Sequence, residues 1–113
     1  MNEETISPLN AASALTEVSV YAALREVYDP ELPVNIVDLG LVYQVKIIEG
    51  WVGVKMSLTS PGCGLADQIA ADAREKVLQV PGVLDADVRI VWQPAWNANF
   101  MTPEARKKLM IVK

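Results

Sequence analysis

Two runs of alternating apolar and polar residues, separated by a two-residue turn signal, limit what this chain can fold into. In Leu41 to Ile48, the residues Leu41, Tyr43, Val45 and Ile47 fall on one side, with Gln44 and Lys46 on the other. In Trp51 to Leu58, the residues Val52, Val54, Met56 and Leu58 alternate with Lys55 and Ser57. Side chains change face at every step along a strand, so each run predicts a strand with one apolar face. Glu49-Gly50 between them predicts a hairpin turn. A hairpin that is apolar on one face must have that face covered.

Two amphipathic segments supply the cover. Thr16 is a helix cap, and Val20, Tyr21, Leu24, Val27 and Tyr28 recur at helical spacing behind it. Asp29-Pro30 closes that helix, because the residue before a proline avoids the α region. A second helix, from Leu65 to Gln79, carries Leu65, Ile69, Ala73 and Val77 every fourth residue, flanked by Ala66 and Ala70, and stops at Pro81-Gly82. Val83 to Trp92 predicts a third strand, with Leu84, Ala86, Val88, Ile90 and Trp92 on one face and Asp85, Asp87 and Arg89 on the other. The crossover from second to third strand contains a helix, so those two strands are predicted parallel and the connection right-handed.

Thr102-Pro103-Glu104 opens a last short helix through about Met110, whose Arg106, Lys107 and Lys108 suit its C-terminal end. The expected fold is α+β: two layers, a mixed three-stranded sheet with helices on one face, in the order α-β-β-α-β-α. Residues 1–15 read as a flexible arm and residues 16–113 as one domain.

The chemistry concentrates in Thr59-Ser60-Pro61-Gly62-Cys63-Gly64, between the second strand and the second helix. Pro61 ends the strand ladder and the glycines permit a sharp turn. Cys63 is the only cysteine, placed just ahead of a helix start, where free N–H groups and the helix dipole favour a thiolate. The plainer reading is a small buried hydrophobe. The stiff segment Asp29 to Gly40, with Asp29, Glu31 and Asp38 among apolar residues, reads either as a self-bonded loop or as a carboxylate lip beside the cysteine loop.

Composition narrows the classes. The 113 residues contain no histidine, which excludes a Ser-His-Asp triad, a Cys-His pair and histidine metal ligands within the chain. One cysteine cannot form an intrachain disulfide or supply a closed four-thiolate site, and it favours a cytoplasmic, reducing location. A formal charge of −4 without a basic stripe argues against nucleic-acid binding, and no run is long and apolar enough to span a bilayer. Trp92, Trp96, Phe100 and Met101 cluster in a Pro- and Asn-containing tail. They form either a lid on the core or a partner-binding surface.

The run Tyr28-Asp29-Pro30-Glu31-Leu32-Pro33-Val34-Asn35-Ile36-Val37-Asp38-Leu39-Gly40-Leu41-Val42-Tyr43 resembles the signature of the MIP18-like iron–sulfur cluster assembly domain family, as does Ser60-Pro61-Gly62-Cys63-Gly64. The tail Val91 to Asn97, with Met101 and Glu104-Ala105-Arg106, is similar to the SufT-type branch. The longer SufT-type proteins have a further N-terminal segment not matched here. The PaaD-type accessory proteins of ring-hydroxylating systems form another branch, which the tail fits less well for want of a C-terminal cysteine cluster.

The resemblance implies a maturation factor for iron–sulfur proteins, a carrier or client adaptor and not an enzyme. It implies Cys63 as the residue that holds iron or a partner, with Thr59 and Asp38 beside it and Asp29, Glu31, Pro61, Gly62 and Gly64 shaping the loops. A labile [2Fe–2S] cluster bridging the Cys63 side chains of a homodimer is one form of cargo; binding partners without a cluster is the other. Assembly machinery and apo client proteins are the implied partners. The competing readings are a structural subunit with an inert Cys63 and a thiol enzyme, the latter lacking any histidine base.

Overall fold

The computed structural model describes residues 15–29, 32–59 and 64–109. The expected arm falls largely outside them; Leu15, at its end, is partly buried against the core. Helix α1 is Glu17–Leu24, strand β1 Val42–Ile48, strand β2 Trp51–Met56, helix α2 Ala66–Leu78, strand β3 Asp85–Ile90 and helix α3 Pro103–Lys108. A short 3₁₀ turn, Ala98–Phe100, precedes α3.

The strands lie in the order β1-β2-β3. β1 and β2 are antiparallel, and Glu49 and Gly50 turn between them with positive φ. β2 and β3 are parallel, so the mixed sheet is as the spacing predicts. Val45, Val52, Val54, Met56 and Ala86 line the covered face, against Val20 and Leu24 of α1 and Ile69, Ala73 and Val77 of α2. Each fully buried Val or Leu contributes about 1.5–3 kcal/mol by leaving water. Ala73 lets α2 lie close to the sheet. The opposite face exposes Lys46, Lys55, Asp85, Asp87 and Arg89.

The caps explain where helices begin. Thr16 and Ser19 form a reciprocal capping box on α1. Thr102 accepts from the Ala105 N–H and Pro103 occupies the first helical turn of α3.

Several side chains differ from the expected pattern. α1 ends at Leu24, because Arg25 caps it and the chain turns early. Val27 remains buried through that turn, its carbonyl accepting the Ile36 N–H, while Tyr28 is exposed. A β-bulge between Val42 and Gln44 takes Tyr43 out of the alternation. Val42 pairs with Met56, and the Tyr43 ring meets Phe100 edge-on at 5.9 Å. Leu65 is exposed at the N-cap of α2, since the helical stripe begins only at Ile69. Leu84 and Trp92 lie beyond the ends of β3 and are exposed.

Ser57 is the largest inversion: predicted outward, it is buried. The ladder continues on both sides of it, from the Ser57 N–H to the Leu41 carbonyl and from the Val91 N–H to the Met56 carbonyl.

Candidate functional site

The acidic loop is folded by its own polar groups. Tyr28 and Asn35 bridge its two limbs in antiparallel fashion. Asp29, nearly buried, accepts the Leu32 N–H on Oδ1 at 3.0 Å. A carboxylate in that position needs partners, because desolvation of an unpaired charge is costly. Its Oδ2 accepts from Thr59 Oγ1 at 3.3 Å. Thr59 is the last described residue before the cysteine segment, so this bond ties the acidic loop to the base of that segment across 30 positions of sequence.

Asp38 is held differently. Asn35 donates through Nδ2 to Asp38 Oδ2 at 3.0 Å and accepts the Asp38 N–H through Oδ1 at 2.9 Å. Arg25 Nε stands 3.8 Å from Asp38 Oδ1. The Asp38 carbonyl accepts the Thr102 N–H at 2.8 Å. Asp38 therefore joins the acidic loop to α1 and to the tail, whereas Asp29 joins it to Thr59.

Cys63, Pro61, Gly62 and Glu31 lie outside the described residues. Chain is described again at Gly64, which is exposed with open space where a Cβ would stand. Leu65 follows as an N-cap with no side-chain hydrogen bond to the first turn of α2. Tyr28, Leu65, Gln68, Ile69 and Asp72 line a shallow cleft at this end of the helix.

The tail is strapped across the far end of the acidic loop. Trp96 Nε1 donates to the Leu39 carbonyl at 2.6 Å. Met101 and Ala105 are both buried. Gly40, at φ 79°, is overlaid by the main chain of Phe100, whose carbonyl carbon lies 2.6 Å from where a Cβ would stand. Tyr43 Oη donates to the Pro94 carbonyl at 2.9 Å. Trp96 and Met101 thus point toward the core, while Trp92 and Phe100 remain substantially exposed.

No group of three or more Cys, Asp or Glu side chains among the described residues is arranged to hold a metal ion. Cys63 is the one thiol in the sequence.

Sequence reading missed Asn35, Arg25 and Ser57. Asn35 could have been found, since an Asx side chain three residues before Asp38 is a common loop staple. Arg25 gave no signal, because its partner arrives through tertiary folding. Ser57 Oγ is buried and, among the described residues, has no hydrogen-bond partner.

Comparison with known proteins bears on this geometry. Residues 17–90 match the family model described as iron-sulfur cluster assembly protein. The chain is 45% identical over 95 residues to an Fe-S protein maturation auxiliary factor of Porphyromonas gingivalis, covering 83% of this chain and 90% of that one. It is 42% identical over 81 residues to the Fe-S protein maturation auxiliary factor SufT of Staphylococcus aureus, covering 71% and 92%. A crystal structure of a domain of unknown function, DUF59, from Bacillus anthracis superposes with a TM-score of 0.80 at 40% identity, covering 84% and 92%. With the family model spanning the helices and sheet that carry the acidic loop and the cysteine segment, the chain belongs to the MIP18-like iron–sulfur cluster assembly protein family, near its SufT-type members.

Proposed function

We propose that this protein is an iron–sulfur maturation factor that works through Cys63, as a cluster carrier or client adaptor and not as a catalyst. The observation that carries the reading is the match over residues 17–90, joined to near full-length relatives named for Fe–S protein maturation. The Asp29–Thr59 hydrogen bond supports it, because it fixes the base of the cysteine segment against the acidic loop.

Cys63 is the iron ligand in this proposal. Its place in the sequence, three residues before the start of α2 at Ala66, favours thiolate over thiol. Asp29, Thr59, Glu31, Pro61, Gly62 and Gly64 shape the loops, and Asp38 couples them to the tail. One thiolate per chain holds a cluster incompletely. Two chains related by symmetry, each giving one Cys63, would hold a [2Fe–2S] unit with positions left for small thiols. Release is then ligand exchange: a client thiolate replaces the Cys63 thiolate on iron, with no change in oxidation state. Trp92 and Phe100, the latter edge-on to Tyr43, present the partner surface, and Trp96 and Met101 anchor it. The lone free thiol suits a reducing cytoplasm.

Anaerobic reconstitution with iron and sulfide tests the carrier form. Wild type gains visible absorption with one [2Fe–2S] unit per two chains, and Cys63→Ala stays colourless. A colourless wild type removes the carrier form and leaves the adaptor.

A further inference from the structure

The open face of the sheet carries three rows of paired residues that the proposed function does not use. They are Ile48–Trp51–Asp85, Lys46–Gly53–Asp87 and Gln44–Lys55–Arg89, each running from β1 through β2 to β3. Gly53 is the exception in the central strand, where glycine ordinarily weakens a sheet. Its missing side chain makes room for Trp51: a Cβ there would meet atoms of the indole ring at 2.5–3.2 Å. The indole thus lies along the sheet surface, over the middle row, and walls a depression of about 180 Å³ that Gly53, Lys46 and Lys55 also line.

The charges around this depression are unevenly satisfied. Asp87 Oδ2 is 3.6 Å from the Arg89 guanidinium, and Asp85 is bonded to Arg74 at 3.1 Å. Lys46 and Lys55 form no ion pair among the described residues. They lie on adjacent strands in neighbouring rows, next to the indole. Two uncompensated ammoniums beside an exposed indole and an exposed Ile48 form a local positive, partly apolar patch on a chain of formal charge −4.

From this face we infer a second docking site, independent of Cys63, for an acidic segment of a partner protein. The segment would set carboxylates against Lys46 and Lys55 and an apolar side chain against Trp51. Charge complementarity selects the carboxylate, and the exposed indole selects the apolar neighbour. Nucleic acid fits less well. Binding a phosphate backbone rests on several neutralised phosphates. Asp85 and Asp87 line the same face and would oppose a polyanion.

The test uses the full chain, labelled with ¹⁵N, and the peptide acetyl-Ser-Glu-Phe-Glu-Ser-amide, whose two carboxylates match the two ammoniums. Controls are the same peptide with Lys in place of Glu, and a short oligothymidylate. The acidic peptide shifts the Gly53 amide and the Trp51 indole resonance, and its affinity falls as salt rises. Lys46→Glu with Lys55→Glu weakens it by about tenfold or more, whereas Cys63→Ala leaves it unchanged. Gly53→Ala, which pushes the indole off the sheet, also weakens it while far-UV circular dichroism is retained. The inference is overturned if these resonances do not move, if either substitution leaves the affinity as it was, or if the Lys peptide or oligothymidylate binds as well. Retention in Cys63→Ala keeps this result separate from the maturation reading.

Discussion

Gly40 and Gly53 each admit a neighbour closer than any side chain would allow, and the two neighbours differ. Over Gly40 lies the main chain of Phe100, held by the tail that Trp96 and Thr102 bond to Leu39 and Asp38. Over Gly53 lies the far end of an exposed tryptophan. Backbone locked by hydrogen bonds cannot give way, whereas an indole at the surface can swing aside. The first region is built to stay as it is, and the second is built to present a movable surface. That difference separates a part that positions the acidic loop from a part available to a partner.

The sharpest way to break this contrast is to make the same substitution at both glycines. Gly40→Ala meets Phe100 and places a Cβ at a left-handed φ of 79°. It loses about 3 kcal/mol or more in urea denaturation, from overpacking and backbone strain together. Gly53→Ala changes stability by less than about 1 kcal/mol, since the gain in strand propensity offsets the displaced ring. Equal losses at both sites would erase the distinction.

Between these extremes lie two substitutions that probe the pinned region. Met101→Ala removes a buried thioether from beneath the tail and loses about 2–4 kcal/mol in the same measurement. A loss near zero would mean that the tail does not close the core. Asp29→Ala leaves the Leu32 N–H and the Thr59 hydroxyl without that carboxylate and loses about 1–3 kcal/mol. Thr59→Val should lose less, because the carboxylate keeps its bond to Leu32. The smallest effect is Ser57→Ala, which is neutral or stabilising by up to about 1 kcal/mol, because the buried hydroxyl has no described partner to forfeit.

The sheet and its order were legible because period-two alternation and a crossover helix leave few alternatives. Thr16, Thr102 and Pro103 marked helix starts through local chemistry that needs no tertiary context. What escaped the sequence were features created by chain returning from a distance. Ser57 and Met101 are buried, and a bulge turns Tyr43 toward Phe100; none of this is written in local periodicity. In the site, Asp29 and Thr59 were legible as residues, but their bond was not, since 30 positions separate them. The exposed place of Leu65 escaped for a simpler reason. Spacing by four continues one step past the helix end, where the chain no longer points inward.

The most direct test of the central claim follows activation of an apo iron–sulfur enzyme, with a cluster source limiting and this protein added anaerobically. Wild type accelerates recovery of the client's activity, and Cys63→Ser, folded to the same melting temperature, does not. Equal acceleration by both proteins would contradict the account, because the sulfur at position 63 would then play no part in maturation.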